Sequence, residues 1–223
     1  MKTYKWDEQR GYIIADIEGQ KALIDTGAGT CVGRTPFRLI GRTYETLPNY
    51  YGATVEGLSG SIGSEITHLV GLDVLGRMPF QVDWSQRLIS FGEMDMGGAM
   101  VPLIKDYILG NVWKLDVGFK VDGKEFRGIL DTGAPMSYMP VEEATGKCKK
   151  IYRDFFPMTG EFEAKVYDRE IDIGSLRLPV EFGTMPEDNK FLMSTLNRWI
   201  IGLALIRNRV ATFDIPNSML FLN

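Results

Sequence analysis

Leu23-Ile24-Asp25-Thr26-Gly27-Ala28-Gly29-Thr30 and Ile129-Leu130-Asp131-Thr132-Gly133-Ala134-Pro135-Met136-Ser137 are the two stretches that decide how this chain is read. Each is an apolar, strand-like run that ends in Asp-Thr-Gly-Ala. One Asp-Thr-Gly alone is ordinary turn chemistry. Two copies whose aspartates lie 106 positions apart, close to half of a 223-residue chain, point to a duplicated unit that supplies one acid per copy.

The similarity extends outward from the motifs. Tyr12–Gly19 precedes the first and Lys114–Gly123 precedes the second, each reading as a strand closed by a glycine-containing hairpin turn. Downstream, Leu69-Val70-Gly71-Leu72 parallels Ile200-Ile201-Gly202-Leu203. From that glycine to the next matching aspartate, Asp83 or Asp214, is 12 residues in both copies. Each copy closes on a short apolar strand, Leu88–Phe91 and Met219–Leu222. Asp25 to Gly71 is 46 residues and Asp131 to Gly202 is 71, so the first copy is shorter by 25.

In this order of strand, Asp-Thr-Gly-Ala, intervening hairpin region, hydrophobic-hydrophobic-Gly and final strand, the chain resembles aspartic proteases of the pepsin and retroviral type. Alanine after Asp-Thr-Gly is more like the retroviral enzymes. The resemblance covers nearly the whole chain, twice. It implies an all-β, two-lobed acid-protease-type β-barrel fold with an internal pseudo-twofold repeat and a few short helices. The boundaries expected are 1–98 for the first lobe and 99–223 for the second.

The resemblance also implies roles. Asp25 and Asp131 would be the catalytic pair. Thr26 and Thr132 would each hydrogen-bond to the opposite loop. Gly27 and Gly133 would allow the two turns to approach closely. Ala28 and Ala134 place a methyl where pepsin-like enzymes carry a hydroxyl. Two tips are candidates for a flap over the substrate. The first is the glycine-rich Val55–Gly63, with Ser59 and Gly60 at its turn; the second is Asp154–Tyr167, with Met158, Thr159 and Gly160. The first reads equally well as a surface turn between two strands.

Elimination supports carboxylate chemistry. His68 is the only histidine, with no serine or cysteine motif beside it, so a Ser–His or Cys–His nucleophile has no base. Two distant cysteines, Cys31 and Cys148, do not match a zinc spacing, and no phosphate loop occurs. Cys31 reads as a buried filler, and Lys147–Lys150 as a solvated basic face. No cofactor is called for.

Composition is ordinary for a globular chain, with 44% hydrophobic and 24% charged residues. A net charge of −4 without a basic run argues against nucleic acid. No apolar stretch is long enough for a bilayer. The polar N-terminus lacks a signal-peptide core, and with two cysteines this points to the cytoplasm. The expected activity is endopeptidase cleavage of extended or unfolded polypeptides with hydrophobic residues near the scissile bond, by a monomer. The alternative is a peptide- or protein-binding module of the same fold that does not cut.

Overall fold

The structure, a computed structural model, describes residues 1–108, 112–157, 160–185 and 199–223. Strands dominate, as the short apolar runs broken by Gly and Pro predict. The described helices are brief: α-helices Val55–Ile62 and Leu72–Leu75, and 3-10 turns Val141–Glu143 and Leu203–Leu205.

The chain opens with Lys2–Gln9, which turns at Arg10-Gly11 and pairs antiparallel with Tyr12–Ile17. That strand pairs with Gln20–Ile24, Ile14 opposite Leu23. Glu18 and Gly19 form the turn with φ of 53° and 78°, the left-handed pair that matches strand twist in a tight hairpin. Gln20–Ile24 then lies parallel to His68–Val70, and Val32–Gly33 pairs antiparallel on the other side of it. Downstream, Val112–Val121 pairs with Lys124–Leu130 through a turn at Asp122-Gly123, where φ is 50° and 78°. Lys124–Leu130 is parallel to Trp199–Ile201, which also meets Ser137–Met139 antiparallel at Tyr138.

A six-stranded antiparallel sheet joins the ends of the chain. Its order is Lys2–Gln9, Leu88–Phe91, Phe80–Asp83, Val210–Asp214, Met219–Leu222 and Ala99–Ile108. At its centre Phe80 faces Phe213, with ring centroids 4.5 Å apart and planes 3° from parallel. Both rings are fully buried. A second aromatic cluster packs Trp199 against Phe119, Phe126 and Phe182.

The segment Val55–Gly63 corrects one expectation. It is an α-helix, not a hairpin tip. Thr54 caps it by accepting from Gly57 N at 3.1 Å, and Gly63 ends it in the left-handed conformation with φ 73°. Val55, Leu58 and Ile62 form the buried stripe. Ser59 bonds to Val55 O at 2.6 Å and accepts from Ile66 N at 2.9 Å, so it serves the helix and the following loop. Gly60 lies on the same helix. Caps and stripe outweigh the low helix propensity of Gly57 and Gly60. Replacing Thr54 with Ala is expected to cost about 1 kcal/mol of stability, read as a lower urea midpoint at unchanged m-value.

The second hairpin forms as expected. Lys150–Phe156 pairs with Gly160–Ile173, closing at Phe156 opposite Gly160, whose φ is 83°. Met158 and Thr159 lie outside the described residues. The long strand turns again at Gly174 and pairs with Leu176–Thr184.

Candidate active site

Each Asp-Thr-Gly leaves a strand in the same way. Asp25 N donates to Val70 O at 3.0 Å, and Asp131 N donates to Ile201 O at 2.9 Å. Each aspartate is thus registered on the last residue of its parallel neighbour. The chain after each motif is gripped by the hydrophobic-hydrophobic-Gly segment: Leu72 N donates to Ala28 O and Leu203 N to Ala134 O, both at 2.8 Å. A Cβ at Gly71 would lie 2.5 Å from Thr30 O, and one at Gly202 would lie 2.6 Å from Ala134 O. Only glycine lets these backbones approach so closely.

The two motifs face each other. Thr26 N donates to Thr132 Oγ1 at 3.0 Å, and Thr132 N donates to Thr26 Oγ1 at 3.0 Å. Thr26 Oγ1 also donates to Leu130 O at 2.7 Å, and Thr132 Oγ1 to Ile24 O at 2.8 Å. All four bonds are buried. The half-buried carboxyls of Asp25 and Asp131 lie close together, each against the glycine of the opposite motif. Gly27 and Gly133 make this approach sterically open: a Cβ at Gly27 would lie 2.5 Å from Asp131 Oδ1, and one at Gly133 would lie 2.5 Å from Asp25 Oδ1.

Both carboxyls hold their proton more tightly than an ordinary aspartate. Burial is the chief cause for each. On Asp131 the charge of Asp25 pushes further in the same direction. On Asp25 the adjacent Asp131 carboxyl and the N–H groups of Gly27, at 2.8 Å, and Ala28, at 3.0 Å, oppose the rise. Such a pair can hold one proton between two acids, so that one member serves as general base and the other as general acid.

The structure therefore brings Asp25, Thr26, Gly27, Ala28, Asp131, Thr132, Gly133 and Ala134 together. It leaves Ser59 and Gly60 on a separate helix. Gly160 begins the strand after the hairpin tip.

One group was missed from sequence. Asp154, on Lys150–Phe156, accepts from Tyr12 Oη at 3.2 Å, from Tyr138 Oη, and from Phe155 N at 2.8 Å. A lone acid before two phenylalanines was its only local signal. It borders a cavity of about 800 Å³ between Arg10–Tyr12, Pro135–Met136 and Tyr152–Phe155. Pro135 and Met136 directly follow the second Asp-Thr-Gly-Ala in sequence, while neither Asp25 nor Asp131 lines this cavity.

The other candidate side chains are structural. His68 is buried, with Nε2 2.9 Å from Thr35 O, and burial lowers its proton affinity. Cys31 is fully buried, accepts from Gly71 N at 3.3 Å, and its thiol is pushed up by burial. A thiol held in that form is a poor nucleophile. Lys149 and Lys150 pair with Asp168 and Glu181 on the surface. Neither the models of known protein families nor the curated proteins compared with this chain include a match to it.

Proposed function

We propose that this chain is an aspartic endopeptidase of the retropepsin-like kind, with Asp25 and Asp131 as its catalytic pair. The observation that carries the reading is the close approach of two half-buried carboxyls, each delivered by its own Asp-Thr-Gly turn and lying against the glycine of the opposite turn. In this reading residues 1–98 and 99–223 are two lobes related by an internal pseudo-twofold repeat. The matching registers support that division. Tyr12–Ile17, Gln20–Ile24 and His68–Val70 pair in the same sense as Val112–Val121, Lys124–Leu130 and Trp199–Ile201.

The mechanism follows from the pair. A water between the carboxyls loses a proton to the ionised member and attacks the peptide carbonyl. The protonated member hydrogen-bonds to the carbonyl oxygen as its negative charge develops, and a proton passes to the departing amine. The pair titrates as a unit with two apparent ionisations. The hairpin Lys150–Phe156 with Gly160–Ile173 would lie along an extended substrate and add main-chain hydrogen bonds, in the manner of strand addition. Substrates are extended or unfolded polypeptides, with apolar side chains at the scissile bond. Both acids lie in one chain, so a monomer is complete, and a reducing, cytoplasmic setting suits two free thiols. No described helix is long and apolar enough to cross a membrane.

A reading in which the chain binds peptides without cutting them draws on the first half. There the helix Val55–Ile62 occupies the stretch where a second flap was expected. The test that separates the two is cleavage of an unstructured protein by the intact chain across pH. Activity requires one proton on the pair, and burial raises both ionisations, so the bell-shaped profile is expected to peak at mildly acidic pH. A profile peaking at about pH 2 would contradict the raised ionisations of the pair, and absence of cleavage at every pH would favour the binding module.

A further inference from the structure

The hairpin Lys150–Phe156 with Gly160–Ile173 rests on both halves of the chain. Phe155 packs against the first-half cluster that includes Ile14, Leu23 and Ala28. Its ring also meets that of Tyr12, with centroids 6.0 Å apart. Tyr152 and Phe162 pack against the second-half cluster that includes Ala134, Met136 and Tyr138. The Tyr138 and Phe162 rings are 5.8 Å apart.

Asp154 joins the two sets of contacts. Tyr12 Oη and Phe155 N donate to its Oδ1 at 3.2 and 2.8 Å, and Tyr138 Oη donates to its Oδ2. Tyr12 opens the strand Tyr12–Ile17, which pairs with Gln20–Ile24 directly ahead of Asp25. Tyr138 lies on Ser137–Met139, after the second motif. Of these three donors Tyr12 alone comes from the first half, so its hydroxyl ties that half to the hairpin arm.

We propose that Tyr12 is a positioning residue for the substrate: by holding Asp154 it fixes the arm Lys150–Phe156 against the first half, and so sets the width of the groove in which an extended peptide lies beside that arm. The proposal rests on the aspartic-peptidase reading and adds to it a residue that governs substrate binding rather than the chemical step.

The groove follows the edge of the arm. Tyr152, Arg153, Asp154 and Phe155 all border the cavity of about 800 Å³. Successive side chains of a strand point to opposite faces, so four in a row border one cavity when it runs along the strand's edge. Among the described residues Lys150–Phe156 pairs with Gly160–Ile173 alone, which leaves that edge without a strand on it. The opposite wall is Arg10–Tyr12 of the first half, with Pro135 and Met136. A peptide added to such an edge takes main-chain hydrogen bonds from it, and its fit depends on how far the arm stands from the opposite wall. Tyr12 belongs to that wall and holds the arm. The tie does not depend on the charge of Asp154. Burial strengthens its hold on a proton and the three donors oppose that effect, and a carboxyl offers Tyr12 an acceptor oxygen in either state.

The test is Tyr12→Phe in the intact chain, read by steady-state cleavage of a peptide that the wild type cuts and by backbone hydrogen exchange. Phenylalanine keeps the ring contact with Phe155 and removes only the donor, while Asp154 keeps Tyr138 Oη and Phe155 N. KM is expected to rise about three- to tenfold with kcat and the pH profile unchanged, because looser positioning weakens substrate and transition state alike. The amides of Lys150–Phe156 are expected to exchange about tenfold faster, while those of Phe80–Asp83 and Val210–Asp214 keep their protection. If Tyr12→Phe does not fold, Asp154→Ala removes the acceptor from the other side, and the same two readouts decide. A KM that does not move, in an enzyme that still needs Asp25, overturns the role of Tyr12 and leaves the peptidase reading intact, whether or not the hairpin exchanges faster. A loss confined to kcat overturns it too, since Tyr12 would then act on the pair. A wild type that cuts nothing overturns the peptidase reading; faster exchange in the variant then still upholds the tie between Tyr12 and the arm, and unchanged exchange overturns it.

Discussion

Asp25→Asn and Asp131→Asn are each expected to abolish cleavage, lowering kcat by about 10³-fold or more, while the protein stays folded and becomes more stable than wild type at neutral pH. The activity loss follows from the division of labour. One acid must be ionised to take a proton from water and the other protonated to hydrogen-bond the carbonyl. General acid–base assistance is worth about 10²–10⁴-fold, and an amide can do neither half of it. The fold survives because an asparagine oxygen can still accept from Gly27 N and Ala28 N, or from Gly133 N, and its amide can donate to the remaining carboxyl. The stability gain follows from linkage. Both carboxyls hold their protons more tightly folded than unfolded. Between the unfolded and folded ionisations the folded state therefore binds more protons, and wild-type stability falls as pH rises through that window. Asparagine removes that loss. The difference between variant and wild type should shrink below about pH 4, where the unfolded carboxyls are protonated too. Urea denaturation at both pH values, alongside peptide cleavage, measures all three effects. Unchanged cleavage in either variant would defeat the paired-acid mechanism.

That combination of lost activity and gained stability separates a working site from a structural one. The paired motifs were legible in sequence because their cause is local. An apolar run, a turn with a left-handed residue ahead of glycine, and a glycine under close backbone contact all leave marks within a few residues. Glu18-Gly19, Asp122-Gly123, Gly71 and Gly202 are such marks. Where local signals conflicted, the reading went astray. Gly57 and Gly60 suggested a hairpin, and the cap at Thr54 together with the apolar spacing of Val55, Leu58 and Ile62 produced a helix. The Tyr12–Asp154 contact joins residues 142 apart, and no spacing rule connects them. The ion cluster of buried Lys114 and Asp116 with half-exposed Arg127 is of the same kind. Lys114 and Asp116 share one face of a strand by the two-residue period, yet their partner Arg127 comes from the next strand.

Thr26→Val is expected to lower stability by about 2–6 kcal/mol. Thr26 Oγ1 has two partners from the opposite loop, accepting from Thr132 N and donating to Leu130 O. Thr26 is fully buried, and Thr132 almost so. Valine fills the same volume but leaves that N–H and that C=O without a partner, at about 1–3 kcal/mol each. Against a total of roughly 5–15 kcal/mol for a folded protein, this is a large fraction. Thr26→Ser keeps both bonds and loses only a methyl, so it should cost much less. Thr132→Val removes the reciprocal pair, to Thr26 N and Ile24 O, and should behave alike. The two hydroxyls make separate bonds but clamp the same pair of loops. Once one side opens, the loops part and the second substitution has less to remove. The double variant should therefore cost less than the two singles together, and urea midpoints around this cycle give the coupling. The same opening separates Asp25 from Asp131, so activity should fall with stability across the series while Thr26→Ser retains both. Full additivity, with cleavage unaffected in the folded double variant, would mean that the threonines hold the two halves together without holding the acids in place.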